Sequence, residues 1–104
     1  PLGLFWAGYI SVKKAYDWDP RTLVPKLDSD QIVGLEAPLW TETIENFDDI
    51  AYMAFPRIIG HAEIGWSKAS KRKWEEYTQR LSFHGPLLEA LDVKYYRSKE
   101  VDWK

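Results

Sequence analysis

The sequence has no cysteine and only two histidines, His61 and His84, among its 104 residues. That removes a disulfide framework, a thiolate metal site and a cysteine nucleophile, and two well-separated imidazoles make a poor metal constellation. No metal or other cofactor is expected, and the missing cysteines leave the compartment open. Charge of one sign is lacking too. Fourteen Lys and Arg stand against sixteen Asp and Glu, a net charge of −2, with the signs interleaved along the chain. Neither nucleic acid nor an anionic membrane surface finds an electrostatic footprint here, so neither is expected as a partner. The longest apolar stretch, Leu2 to Ile10, is about half of the roughly 20 residues that a spanning helix needs, and it lacks the basic start and small-residue cleavage pattern of a signal peptide. Glycine-rich phosphate loops, a G-x-S-x-G elbow, a zinc-helix motif and internal repeats are all missing.

What the chain does have is rings. Sixteen residues are aromatic, six Trp, six Tyr and four Phe. With 45% hydrophobic and 29% charged residues the composition is that of a globular chain. The length allows one domain with one modest core. The chain opens Pro-Leu-Gly-Leu-Phe-Trp without an initiator Met, which fits either removal of a Met before Pro1 or excision from something longer.

The first third reads as loops around short extended pieces. Tyr16-Asp17-Trp18-Asp19-Pro20 is turn-rich: Pro20 pushes Asp19 toward extended dihedrals, and Asp17 and Asp19 can cap nearby backbone N–H groups. Trp18 is expected to cover a core edge. After Asp28-Ser29-Asp30, the run Gln31 to Trp40 suits a buried strand that Pro38 ends, since proline has no N–H for a ladder. Asn46 looks like an N-cap with Asp48 and Asp49 in the first turn, and Ile50, Met53, Ala54, Ile58 and Ala62 keep helical spacing. Pro56 predicts a kink or break near Phe55. Tyr52, Phe55 and Ile59 widen the apolar surface beyond one stripe, which implies burial on more than one side. A second helix after Ser70 would carry Trp74, Tyr77 and Leu81 on one face and the pairs Lys71–Glu75 and Arg72–Glu76 on the other. Gly85-Pro86 stops it, and Pro86 suits the first turn of a short third helix with Leu87, Leu88 and Leu91. Val93 to Tyr96 reads as extended. One strand cannot make a sheet, so either the first segment supplies partners or the rest of the sheet lies outside this chain.

The best chemical candidate is Trp40-x-Glu42, an aromatic plane and a carboxylate two residues apart, facing the same way if the segment stays extended. An indole face suits the apolar face of a sugar ring, and a carboxylate accepts bonds from its hydroxyls. A core Trp beside a helix-capping Glu would give the same triplet.

Three stretches resemble a known family: Gly34-Leu35-Glu36-Ala37-Pro38-Leu39-Trp40-Thr41-Glu42, Tyr52-Met53-Ala54-Phe55-Pro56-Arg57, and Ala62-Glu63-Ile64-Gly65-Trp66-Ser67. In order and spacing they are similar to the end of the β-N-acetylhexosaminidases of glycoside hydrolase family 20. Trp6-Ala7-Gly8-Tyr9 and Ala15 to Pro20 resemble the bacterial branch. The resemblance implies an α/β fold in which residues 1–104 are the C-terminal portion of a (β/α)₈ barrel, a fold of about 250 residues: the approach to strand 8, that strand, helix 8 and trailing helices, helix-rich if folded alone. It implies retaining hydrolysis of terminal β-linked N-acetylglucosamine or N-acetylgalactosamine, with the substrate's own 2-acetamido oxygen attacking the anomeric carbon. The Glu that acts as general acid and base and the Asp before it, which orients the acetamido group, would lie upstream. So would a Tyr that bonds the acetamido oxygen and an Arg near the start of the barrel.

The segment would then carry no catalytic residue and would be inactive alone. Its contribution would be sugar binding. Trp40 matches the Trp closing the aromatic pocket around the N-acetyl group, Glu42 the carboxylate bonding O4 and O6, and Trp6 a Trp whose indole N–H reaches toward O6. The implied partners are the amino-sugar glycoside and the upstream barrel, with self-association of the segment where that barrel is missing. Arg57 and Glu63 match structural positions, read as an ion pair in or beside helix 8. Trp18, Trp66, Trp74 and Trp103 are read as core or rim packing, His61 as a satisfied core imidazole, and His84 as facing solvent near a helix end. The competing class is a small non-catalytic sugar-binding or protein-interaction module with exposed rings. Against it stand the broad apolar surface of the long helix and the lone strand, which suggest an incomplete core.

Overall fold

The computed structural model describes residues 10–104, so Trp6 and the rest of the opening run through Tyr9 lie outside the described residues. The elements are six α-helices, α1 (Val12–Tyr16), α2 (Pro20–Leu23), α3 (Phe47–Ala54), α4 (Arg57–Trp66), α5 (Trp74–Ser82) and α6 (His84–Ala90), with 3₁₀ turns at Ser29–Gln31 and Ala69–Lys71. The expected richness in helix is borne out. None of the described helices is long and apolar enough to cross a membrane.

The first third departs from the expected loops and short extended pieces, because two short helices find caps there. Ser11 Oγ accepts from Lys14 N at 3.1 Å, and the tail residue Glu100 accepts from Lys13 N at 3.1 Å, so two orphan donors of α1 are satisfied. Val12, Ala15 and Tyr16, at helical spacing, are buried. Asp19 does take the extended backbone that Pro20 requires (φ −128°, ψ 120°), and its carboxylate accepts from Arg21 N, starting α2.

Asn46 caps α3 as expected, accepting from Asp49 N at 3.0 Å. The break falls at Phe55-Pro56, between α3 and α4. The next helix begins later than the spacing predicts. Lys71 lies in a 3₁₀ turn and Arg72 is its C-cap, so neither forms its expected pair with Glu75 or Glu76. Lys73 pairs with Glu76 instead, at 3.7 Å. Arg72 crosses to Trp18 O at 3.2 Å and lies 3.8 Å from Asp19. Pro86 sits in the first turn of α6, as expected.

The core gathers Val12 and Tyr16 of α1, Ile64 of α4, Tyr77 and Leu81 of α5, and Val101 of the tail. Tyr16 and Tyr77 stack with ring centroids 4.0 Å apart and planes within 5°. Trp18, Trp74 and Trp103 pack around this cluster, as expected of them. Trp66 does not. It is 92% exposed, beside an apolar groove of about 340 Å³ lined also by Leu35, Ala37, Ile58 and Ala62.

The expected strand over residues 31–40 is absent: among the described residues there is no strand, and residues 33–40 form no backbone hydrogen bond. A strand is defined by its ladder, and nothing described lies alongside to form one. The side chains nonetheless keep a strand's period of two. Leu35, Ala37 and Leu39 are half-buried, while Gly34, Glu36, Pro38 and Trp40 are exposed. Leu35 Cδ2 lies 3.5 Å from where a Cβ on Gly65 of α4 would stand.

Candidate functional site

Trp40 ends this run with its side chain 57% exposed, and it joins none of the described ring pairs. Among the described residues it packs into no core. Directly after it the chain turns. Ile44 N donates to Thr41 O at 3.1 Å, which places Glu42 at the second position of a β-turn. The extended backbone needed to aim Trp40 and Glu42 the same way thus stops before Glu42, and the two sit at a corner. Glu42 is exposed and joins none of the described ion pairs. The helix cap that Glu42 might have served is Asn46. Glu45, the residue directly after the turn, is tied to α3 by Asp49, whose Oδ2 accepts from Glu45 N at 3.0 Å. Trp40 and Glu42 are both exposed, on either side of the entry to this turn at the end of residues 33–40, and the position of Trp6 relative to them lies outside the described residues.

The expected Arg57–Glu63 ion pair does not form. Six residues along a helix is about 120° from facing, so the two side chains leave α4 in different directions. Glu63 Oε1 accepts from Tyr16 Oη at 3.1 Å and pairs with Arg80. Burial, reinforced by the Glu63 charge, pushes the Tyr16 phenol up to about 12. Tyr77 is raised as well, chiefly by burial, and its Oη has no hydrogen-bond partner among the described residues. This cluster fastens α1, α4 and α5 together.

Arg57 is buried. Its Nε donates to Ile10 O at 2.8 Å, its Nη1 lies 3.1 Å from Met53 O and 3.5 Å from Tyr52 O, and its guanidinium lies 5.0 Å from the centre of the Tyr96 ring. Burial lowers its pKa, the nearby Tyr96, Tyr52 and Glu100 partly offsetting this. Sequence reasoning missed Tyr96 and Glu100 as neighbours of this group. One signal was available: a cation at the first position of a helix opposes the helix dipole, so Arg57 had to be serving something other than α4. His61 is half-buried with Nδ1 3.1 Å from Arg57 O, in keeping with a satisfied imidazole. His84 is half-buried, with Nδ1 3.2 Å from Arg80 O.

The family model described as glycosyl hydrolase family 20, catalytic domain, matches residues 3–69. A β-N-acetylhexosaminidase of Cellulomonas fimi is 35% identical over 102 residues, which are 98% of this chain and 21% of that protein. A β-hexosaminidase of Akkermansia muciniphila is 34% identical over 79 residues, 76% of this chain and 16% of that protein. Among solved structures, the family 20 β-N-acetylhexosaminidase of Streptomyces coelicolor A3(2) superposes with a TM-score of 0.92 at 49% identity, covering 100% of this chain and 21% of that one. A mutant Streptomyces plicatus β-hexosaminidase in complex with product (GlcNAc) gives a TM-score of 0.92 at 50% identity, with the same coverage. The chain spans about a fifth of the length of these relatives.

Proposed function

This chain belongs to glycosyl hydrolase family 20, and from that premise we propose that residues 1–104 are the C-terminal portion of a catalytic (β/α)₈ barrel that hydrolyses terminal β-linked N-acetylhexosamine. Residues 33–40 supply its last strand, α3 and α4 the helix that follows, and α5, α6 and the tail a covering layer. The observation that carries this reading is the state of residues 33–40. They keep the alternating burial of a strand, with Leu35 against α4 and no ladder among the described residues. The apolar groove beside Trp66 and the fully exposed Val33 fit the same picture, because apolar area of this kind is ordinarily covered. Upstream strands and helices are its natural cover.

In that barrel the exposed corner of Trp40 and Glu42 stands at the carboxyl end of a strand, where barrel enzymes build their sites. Trp40 supplies a wall of the pocket around the N-acetyl group, Glu42 accepts hydrogen bonds from O4 and O6 of the sugar, and Trp6 reaches toward O6. The reaction is retaining and substrate-assisted. The 2-acetamido oxygen attacks the anomeric carbon while an upstream Glu protonates the departing oxygen and an Asp beside it orients the acetamido group. None of the residues doing that chemistry is assigned to this segment.

The isolated chain is therefore expected to release no nitrophenolate from p-nitrophenyl N-acetyl-β-glucosaminide and to show no saturable change in Trp fluorescence with N-acetylglucosamine. Turnover by the chain alone would overturn the division of labour. Saturable binding by a monodisperse monomer would favour a self-contained sugar-binding module.

A further inference from the structure

Arg57 is held in an unusual way. It is only 9% exposed, it stands at the unfavourable end of its own helix dipole, and no described carboxylate pairs with it. Its guanidinium is held by main-chain carbonyls from two separate stretches. Tyr52 O and Met53 O belong to the last turn of α3. Within a continuous helix Tyr52 O would accept from the N–H of residue 56, which proline lacks, so Arg57 takes over as the C-terminal cap of α3 and meets the favourable end of that dipole. The third carbonyl, Ile10 O, belongs to the residue before Ser11, the N-cap of α1.

The tail completes the joint. Tyr96 N donates to Phe55 O at 3.0 Å, and its ring meets Tyr52 edge-on at 5.4 Å while lying under the guanidinium. Glu100 accepts from Lys13 N at the start of α1. At its other end α3 is capped by Asn46, and Asp49 Oδ2 accepts from the N–H of Glu45, the residue directly after the Thr41–Ile44 turn. One planar, branched donor thus joins Ile10, at the entry to α1, to the helix after Glu42, and that eight-residue helix of about 12 Å runs back to the residues that follow the turn.

We propose that Arg57 is a positioning residue of the sugar subsite, holding α3, and through it the turn that carries Glu42, in a fixed relation to Ile10 at the entry to α1. This rests on the assignment of Trp6, Trp40 and Glu42 to that subsite. A lysine at this place cannot serve both stretches with a rigid fork, because its ammonium is a single point on a flexible stem.

The test is made in the full-length chain with p-nitrophenyl N-acetyl-β-glucosaminide and its 6-deoxy analogue. Wild type should prefer the 6-hydroxy substrate, and Glu42→Gln should reduce that preference. Arg57→Lys should lower kcat/KM by about 10- to 100-fold, mainly through KM, as ångström-scale misplacement does. With Glu42 intact, it should also lose most of the preference that Glu42→Gln loses. Tyr96→Leu, which removes the ring under the guanidinium and leaves Arg57, should move both quantities the same way by less, and it carries the test should Arg57→Lys fail to fold. If folded Arg57→Lys, or Tyr96→Leu in its place, keeps the wild-type preference, however far its Tm falls, Arg57 is only structural and the proposal is overturned. If Glu42→Gln itself keeps the preference, the subsite assignment fails first and takes this proposal with it.

Discussion

Tyr16 and Tyr77 stack ring on ring, yet their hydroxyls are in opposite situations, and removing each should change stability with opposite sign. Tyr77 is 1% exposed and its Oη has no partner among the described residues. An unpaired buried hydroxyl costs about 1 to 3 kcal/mol, and Tyr77→Phe relieves that cost while leaving the 4.0 Å stack in place. Against this stands only the small void left by one oxygen, so a net gain of about 1 kcal/mol is expected. Tyr16→Phe instead deletes the 3.1 Å bond to Glu63, whose charge makes it worth about 1.5 to 3 kcal/mol. The loss should fall at the lower end, because Arg80 still holds the carboxylate. For a chain of this length 1 kcal/mol moves Tm by about 4 to 8 °C. The assay is thermal unfolding followed by far-ultraviolet circular dichroism, at one protein concentration because self-association makes Tm concentration-dependent. Gly60 supplies an internal check: a Cβ there would lie 3.1 Å from Tyr77 Oη but 3.5 Å from Tyr16. Gly60→Ala should therefore be better tolerated in the Tyr77→Phe background than alone. If Tyr77→Phe lowers Tm as Tyr16→Phe does, the Tyr77 oxygen has a partner and the reasoning fails.

Three further outcomes follow from the packing. Tyr16 is neutral in the folded chain up to about pH 12 and titrates near 10 when exposed. Its contribution to stability is thus complete below pH 10 and lost as pH rises toward 12, so wild type should lose Tm across that window more steeply than Tyr16→Phe. Equal slopes in a pH series of melts would contradict this. Gly85 is buried in α6, where a Cβ would come within 3.1 Å of Trp103 Cε3 and Tyr95 Oη. Gly85→Ala should cost about 1 to 3 kcal/mol, read as a lower urea midpoint at unchanged m-value, and an unchanged midpoint would show that the tail gives way freely. Because Val33 and Trp66 are almost wholly exposed, light scattering of the isolated chain should give a mass above 12.2 kDa, and a well-behaved monomer at high concentration would speak against an uncovered barrel face.

Local chemistry was legible in the sequence, and what depended on distant partners was not. Asn46, Asp48 and Asp49 announce the start of α3, and Pro56 announces its end, because caps and breaks are settled within a turn or two of chain. The apolar, β-branched opening of residues 31–40 suggested a buried strand, but a strand needs a neighbour, none is among the described residues, and residues 33–40 keep only the alternating burial. Arg72 was misassigned because its backbone leaves the helix register in the turn at Ala69–Lys71, freeing the side chain to reach Trp18 across the fold. The Arg57–Glu63 pairing failed on helical geometry alone. The actual partners, Ile10 O for Arg57 and Arg80 for Glu63, are 47 and 17 residues away along the chain. At the candidate site, the residue types Trp40 and Glu42 were legible, whereas the turn that separates them was not, since Thr41 and Thr43 carry none of the usual turn signals.

Glu42 is the sharpest probe of the proposed role of this segment as a wall of an amino-sugar pocket. In the full-length chain, Glu42→Gln should lower kcat/KM on p-nitrophenyl N-acetyl-β-glucosaminide at least about tenfold, the equivalent of about 1.4 kcal/mol for hydroxyls left poorly paired in a desolvated site. Wild-type kinetics in that variant would contradict the claim.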